Sequence, residues 1–479
     1  MNQTTINTIS GGEDTIAAVS TPPGRGGIAV IRISGPRAIS CAEGFFRAHS
    51  GRSLTEAPPR TAVYGSIGSF PADAPADILD DGLVTVFPGP RSYTGEDVAE
   101  ISCHGGIALT GEVLSLALRN GARPAQPGEF TKRAFINGKL SLTEAEAVIG
   151  LIDAESSRAI RLASAQSRGI LKEKINGFYE ELRTLVASLY AYIDYPDEDM
   201  TEVPGNELTA RLSALRDGLS ALCGTYRLGH AVFEGIPTAI IGKPNAGKSS
   251  LLNALLGHER AIVTDIPGTT RDTVEETLEL DGVLLRLCDT AGLRTPGDEA
   301  ERLGTLRTGE KALQAELLFC LFDLSRPLDT DDERVLTLLG QATANGANAM
   351  LVLNKCDLPP AFNPVELTAR FPDLPVIRLS AKQPDTLLPL KNAVTELFRV
   401  GTLQSTVDAA VLTGARQHAA VQQALTHVQR ALAAREEGFT ADIAGLDLEA
   451  ALAALGETDG RTVTMDVVSG IFSRFCVGK

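Results

Sequence analysis

The segment Gly242-Lys243-Pro244-Asn245-Ala246-Gly247-Lys248-Ser249 fits the pattern Gly-x-x-x-x-Gly-Lys-Ser. It follows the apolar run Pro237–Ile241 and precedes a helical run from Ser250. A glycine-rich turn between strand and helix points backbone N–H groups at phosphate oxygens, and the helix N-terminus adds positive potential. Lys248 then supplies a mobile cation for the β- and γ-phosphates, and Ser249 supplies an oxygen for Mg²⁺. Asp289-Thr290-Ala291-Gly292 follows a second apolar run, Val283–Cys288. A carboxylate there can hold Mg²⁺ through water, and the Gly292 amide can face the γ-phosphate. Between the two lies Thr264-Asp265-Ile266-Pro267-Gly268-Thr269-Thr270, a loop whose Thr270 can close onto Mg²⁺.

Two further strand ends speak to the base. Met350–Leu353 runs into Asn354-Lys355-Cys356-Asp357, and Val376–Leu379 runs into Ser380-Ala381-Lys382. A carboxylate at Asp357 accepts from both N1–H and the exocyclic amine of guanine, donors that adenine does not pair in that way. Leaving such an acceptor unpartnered costs about 1–3 kcal/mol, so Asp357 selects guanine. The Lys355 stem can cover the base and the Ala381 amide can meet O6. Elements in this order resemble a translation-factor-class GTPase domain.

Hydrolysis needs an oriented water and positive charge between the β- and γ-phosphates. The residue after Gly292 is Leu293, which cannot hydrogen-bond water, and no arginine finger is identifiable. Asn245 offers two readings. It braces the loop, or its oxygen joins backbone carbonyls of 264–269 as a ligand set for K⁺.

These loops need a scaffold. The chain has 479 residues, about three domains' worth. With 43% hydrophobic and 22% charged residues it can build real cores. Its net charge of −16 disfavours a simple nucleic-acid coat but leaves room for one basic groove. The 7 cysteines are widely spaced without a Cys-x-x-Cys pair, against a disulfide or zinc framework and in keeping with a reducing compartment. No signal peptide and no membrane-length apolar run are evident, so the expected location is cytoplasmic. Residues 1–138 read as an α+β domain, with Gly/Pro-punctuated strands such as Ile28–Ile33 and Leu83–Phe87. Stripes at Leu171, Ile175, Phe178, Leu182, Leu185 and Leu189, and at Leu208, Leu212, Leu215, Leu219 and Leu222, predict bundle helices. Residues 233–400 alternate strand and helix, predicting a parallel α/β sheet. Helical spacing then returns at Val421, Leu425, Val428 and Leu432. The organisation implied is 1–138, a helical part 139–232, an inserted P-loop domain 233–400, and a second helical part 401–479.

Other stretches carry a closer resemblance. They are Thr21–Gly27, Phe87–Pro90 with Ser92–Asp97, Cys103–Gly106, Pro127–Thr131, Asn137–Leu140, Ile193–Pro196, Gly268–Asp272 and Phe475–Lys479. With these the chain resembles, over nearly its full length, the bacterial tRNA-modification GTPase family MnmE, also called TrmE. The resemblance implies a multidomain α/β and α fold: an N-terminal α+β dimerisation and folate-binding domain, a discontinuous helical domain and an inserted Ras-like G domain. It implies a homodimer that works with the flavoprotein MnmG on C5 of the wobble uridine of certain tRNAs, adding a carboxymethylaminomethyl or aminomethyl group. A 5-formyltetrahydrofolate-type carrier would supply the carbon, and K⁺-stimulated GTP hydrolysis would accompany G-domain dimerisation.

Carried over by residue, the resemblance places K⁺ on Asn245, Thr264, Ile266 and Thr269, and Mg²⁺ on Ser249 and Thr270. It makes Glu301, in Glu301-Arg302-Leu303-Gly304, the water-orienting acid. It places folate on Arg32, Glu100, Lys139 and Lys479, with Glu96 as the alternative acid. Cys476 has two readings: a thiol attacking C6 of uridine, or a small buried hydrophobe between Phe475 and Val477. Ser141–Glu146 and Thr305–Thr308 depart from the family pattern. Competing functions are a GTP-dependent ribosome-assembly factor and a scaffold with a vestigial site.

Overall fold

The computed structural model describes residues 14–194, 205–258, 261–262, 276–280, 283–287, 312–398, 410–437 and 441–479. The chain forms two compact units. One comprises Met1–Ile149, Ser167–Ala187 and Leu448–Lys479, and the other Gly150–Gln166 and Ser188–Asp447.

The first unit is built on a mixed sheet of β1 (Thr15–Val19), β2 (Gly26–Ser34), β3 (Phe46–Ala48), β4 (Ala62–Ser69), β5 (Asp77–Phe87), β6 (Val98–Gly105) and β7 (Ala122–Pro124). The strand order is β3-β4-β5-β6-β2-β1-β7, antiparallel throughout except for β1 beside β7. Side chains alternate faces along a strand. Ala29, Ile31 and Ile33 of β2 and Ala99, Ile101 and Cys103 of β6 therefore share the face covered by helices α1 (Ala38–Phe45) and α2 (Ile107–Arg119), in one core with Phe45 and Val113. The same alternation turns Arg32 and Glu100 to the opposite face, where the strand register sets them directly across from each other.

Helix α3 (Glu129–Ile136) follows the sheet, and α4 (Leu142–Ile152), α5 (Ser157–Ser167), α6 (Ile170–Asp194) and α7 (Gly205–Cys223) continue the chain. The leucine stripes define buried faces as the spacing predicts: Leu171, Ile175, Leu182, Leu185 and Leu189 on α6, and Leu208, Leu212, Leu215, Leu219 and Leu222 on α7. Phe178 is half-buried, with the Lys174 ammonium 5.0 Å from its ring centre.

In the second unit, α8 (Tyr226–Phe233) leads into β8 (Ile236–Gly242) and α9 (Lys248–His258). The sheet continues with β9 (Ala261–Ile262), β10 (Glu276–Leu280), β11 (Val283–Leu287), β12 (Leu317–Asp323), β13 (Asn348–Asn354) and β14 (Val376–Arg378), in the order β14-β13-β12-β8-β11-β10-β9. The expected parallel pairing holds for β14, β13, β12, β8 and β11. It is corrected at one edge, where β10 runs antiparallel to both β11 and β9. Only Asp281-Gly282 separates β10 from β11. Two residues can join a hairpin but not a parallel crossover.

Helices α10 (Thr330–Ala344), α11 (Val365–Thr368) and α12 (Leu388–Leu397) complete this α/β block. The chain then returns through Val411–Thr413. Gln166 Nε2 donates to the Val411 carbonyl at 2.7 Å, and the Leu412 N–H donates to Thr225 Oγ1 at 3.0 Å. Helix α13 (Ala415–Glu436) buries Val421, Leu425, Val428 and Leu432, and α14 (Ala441–Asp459) and α15 (Met465–Phe472) end the helical series.

Candidate functional site

The apolar strand β8, central in its sheet, ends at Gly242, and the backbone curls before α9 begins at Lys248. Asn245 sits at φ +60° and Gly247 at φ +103°. At Gly247 a Cβ would lie 2.1 Å from Asn354 Nδ2, so only glycine fits. The Lys248 ammonium donates to the carbonyls of Gly242 (2.9 Å) and Lys243 (3.0 Å), within the loop itself. Ser249 lies in the first turn of α9, next to Ser250.

Asn354, 2% exposed at the end of β13, joins three segments. Its Nδ2 donates to the Ala246 carbonyl at 2.8 Å, and its Oδ1 accepts from the N–H groups of Lys355 (2.8 Å) and Ala381 (3.0 Å). Lys355, at φ +62°, extends its ammonium to the Asn245 carbonyl (3.0 Å) and to Asp323 Oδ2 (2.6 Å) at the end of β12. The Ser380 hydroxyl bonds Asp357 and holds its carboxyl below the ordinary range. The structure thus gathers Asn245, Ala246, Gly247, Lys248, Ser249, Asn354, Lys355, Asp357, Ser380 and Ala381 at the carboxyl ends of the parallel strands, with Lys382 next in the chain. Thr264, Asp265, Ile266, Pro267, Gly268, Thr269, Thr270, Asp289, Thr290, Ala291, Gly292 and Glu301 lie outside the described residues, as does Cys288.

The first unit assembles a second cluster. Arg32 Nη2 is 2.8 Å from Glu100 Oε1, and the guanidinium lies 5.5 Å from the Tyr93 ring centre and 5.7 Å from that of Phe130. The C-terminal stretch reaches this cluster. Ser20 Oγ donates to the Gly478 carbonyl at 3.0 Å, Arg32 Nη1 donates to it at 3.4 Å, and the Phe130 N–H donates to the Lys479 carbonyl at 3.2 Å. Burial and the nearby Arg32 lower the Lys479 ammonium's hold on its proton, against the opposing pull of Glu100. Arg32, Glu100 and Lys479 are therefore brought together. Lys139 is exposed and donates to the Pro90 carbonyl at 3.0 Å. Cys476 is exposed, unlike Phe475, which is buried, so the buried-hydrophobe reading of this cysteine does not hold.

Glu96 is engaged elsewhere. Ser34 Oγ donates to it at 2.8 Å and Arg133 Nη1 at 3.1 Å. Arg133, 5% exposed, also meets Asp14 (2.8 Å) and Glu129 (3.1 Å), and Arg123 pairs with the same two carboxylates. Burial pushes Glu129 upward, but hydrogen bonds from Arg123, the Gln126 N–H and Arg133 outweigh it and keep the carboxyl below its ordinary value. The sequence reading missed this network and the anchoring of Lys243 described below. Both join charges distant in sequence, and no local spacing marks them.

A phosphate-binding loop at the carboxyl end of a largely parallel sheet, tied by Asn354 to the loops after β13 and β14, defines the class of P-loop nucleotide-binding proteins. The family profile described as "MnmE helical domain" matches residues 142–476, and that described as "GTP-binding protein TrmE N-terminus" matches residues 15–139. The chain belongs to the MnmE family of tRNA modification GTPases. Proteins named tRNA modification GTPase MnmE from Natranaerobius thermophilus and Moorella thermoacetica are 41% and 42% identical over 471 and 474 residues, each covering 98% of this chain and 100% of the relative. That from Acetivibrio thermocellus is 38% identical over 98% of this chain and 99% of its own. A crystal structure of Era with MgGDPNP and a 16S ribosomal RNA segment covers 34% of this chain and 55% of that one at 26% identity. Its TM-score is 0.25. Among the described residues, no helix is long and apolar enough to cross a membrane.

Proposed function

We propose that the chain is a K⁺-stimulated GTP hydrolase that acts with the flavoprotein MnmG to add an aminomethyl-derived group to C5 of the wobble uridine of certain tRNAs. The observation that carries the hydrolase reading is Asn354, whose three hydrogen bonds unite the phosphate loop with both base-edge loops. Such a join lets one ligand engage phosphate and base sites at once. The tRNA reading rests on family membership.

In this reading Lys248 neutralises β- and γ-phosphate charge and Asp357 selects guanine. Ser249 and Thr270 hold Mg²⁺, which when bound offsets phosphate charge. Asn245, with Thr264, Ile266 and Thr269, holds K⁺. The left-handed backbone at Asn245, fixed through its carbonyl by Lys355, suits a residue with a positioning task. Glu301 orients the attacking water.

The tetrahydrofolate carrier belongs to the cluster of Arg32, Glu100 and Lys479, with Lys139 of the Asn137-Gly138-Lys139 motif as the further cation that the family resemblance assigns. Cations there suit carboxylates and Glu100 suits pterin N–H donors. Glu96, occupied by Arg133 and Ser34, suits that task less well. Exposed Cys476 is available as the thiol of the tRNA site.

A homodimer is supported by the sheet face opposite α1 and α2, where Ile28, Tyr64 and Leu83 are 69%, 54% and 42% exposed. The four-part division 1–138, 139–232, 233–400 and 401–479 and a cytoplasmic location complete the proposal. GTP turnover compared in K⁺ and Na⁺ tests it: turnover indifferent to the cation removes the K⁺ role, and no turnover in either removes the hydrolase.

A further inference from the structure

The phosphate loop carries two lysines, and they are used differently. Lys248 turns back onto loop carbonyls, whereas Lys243, 9% exposed, extends to helix α10. Lys243 Nζ lies 2.6 Å from Asp332 Oδ2 and 2.9 Å from Asp329 Oδ2. Asp329 caps α10: its Oδ1 accepts from the N–H groups of Asp331 (3.0 Å) and Asp332 (3.2 Å), and Asp332 Oδ2 accepts from the Asp329 N–H at 3.0 Å. Lys243 is therefore inserted into a reciprocal capping box. Asp332 is 1% exposed, and its Oδ1 has no hydrogen-bond partner among the described residues, which leaves Lys243 as its main charge compensation.

We infer that Lys243 is a positioning residue for nucleotide binding, anchoring the first half of the phosphate loop to the N-terminus of α10. The inference rests on the GTPase reading. The Lys243 carbonyl accepts from the Lys248 ammonium (3.0 Å) and from the Ala246 N–H (3.2 Å), so the residue that is anchored also orients the phosphate-binding lysine. Two residues on, the Asn245 carbonyl is held by Lys355, itself paired with Asp323. One anchor on each side keeps Asn245 left-handed. Methionine at 243 keeps the length and apolar stem but leaves a buried carboxylate uncompensated behind a site for anions, an arrangement far costlier than losing an exposed pair. Arginine, with a planar fork, can span both carboxylates.

The test uses the purified full chain with three variants, Lys243→Met, Lys243→Arg and Asp332→Asn, reading GTP KM, kcat and the affinity for fluorescent mant-GDP, with nucleotide-free melting temperatures alongside. Loss of the anchor raises KM and mant-GDP Kd about tenfold or more in Lys243→Met and about threefold or more in Asp332→Asn, with kcat changed far less, while Lys243→Arg stays close to wild type. Lowered melting temperatures with KM and Kd within about twofold of wild type in both variants assign Lys243 to stability alone and overturn the inference. If Lys243→Met does not fold, Asp332→Asn, which keeps the Lys243–Asp329 pair, decides. A wild-type protein without turnover refutes the hydrolase reading, and the mant-GDP affinities of the same variants still decide this one. Absence of mant-GDP binding by the wild type overturns both.

Discussion

Gly478→Ala probes how the C-terminal stretch completes the cluster around Arg32. Gly478 has φ +99°, and a Cβ there would lie 2.3 Å from the Val19 carbonyl oxygen and 2.9 Å from Ser20 Cα, both backbone atoms that no rotamer change moves. Gly478 and Lys479 are held to the rest of the unit by three hydrogen bonds, from Ser20 Oγ, Arg32 Nη1 and the Phe130 N–H. At about 1 kcal/mol net each, they contribute about 3 kcal/mol. Alanine in a left-handed conformation costs about 1–3 kcal/mol before the overlap is counted. The substitution therefore cancels most of the docking energy and withdraws Lys479 from Arg32 and Glu100. Calorimetry with 5-formyltetrahydrofolate is expected to show affinity about ten- to a hundredfold weaker, since each 1.4 kcal/mol is tenfold. GTP turnover by the same protein serves as the control and stays at the wild-type level. Folate affinity within about threefold of wild type would refute the reasoning, because the substitution reaches the ligand through Lys479 and through Arg32, which donates to the Gly478 carbonyl.

Asn354→Ala removes three hydrogen bonds at about 1 kcal/mol each and is expected to weaken guanine-nucleotide binding about a hundredfold, measured by mant-GDP titration. Arg133→Met strips three carboxylates of a buried partner and is expected to cost the first unit about 3–5 kcal/mol at pH 7, read by chemical denaturation. Because Glu129 and Asp14 titrate below their ordinary values in the folded protein, the stability they contribute is present above about pH 4.5 and lost as pH falls through the folded pKa values. Arg133→Met should accordingly lose less stability than wild type between pH 5 and pH 3, and parallel acid profiles would count against the assignment. Glu301→Ala is expected to leave GTP affinity nearly intact and slow turnover by about a hundredfold or more in single-turnover kinetics.

The two sites were not equally legible. The phosphate and base loops are contiguous runs at strand ends, so residue type and spacing alone marked Asn245–Ser249, Asn354–Asp357 and Ser380–Lys382 and named the chemistry. The leucine stripes of α6 and α7 were readable for the same reason, since helical periodicity is local. Strand β10, next to the edge strand β9, was misread as parallel because the alternation of strand and helix was read as a block. The two-residue Asp281-Gly282 connection, which dictates a hairpin, carried the contrary signal. Nothing local marked Lys243, whose partners Asp329 and Asp332 lie 86 and 89 residues further along the chain.

By itself the sequence determined the nucleotide-binding chemistry, because a glycine turn, a lysine and a base-selecting carboxylate act through backbone geometry that a few consecutive residues fix. Tertiary structure alone decided that Arg32, Glu100 and Lys479 share one face, that Glu96 serves Arg133 instead, and that Cys476 meets solvent. Those outcomes follow from strand register and from a chain end folded back across hundreds of residues. A one-residue change of register would turn Arg32 into the core, and no reading of neighbours along the chain contains that information.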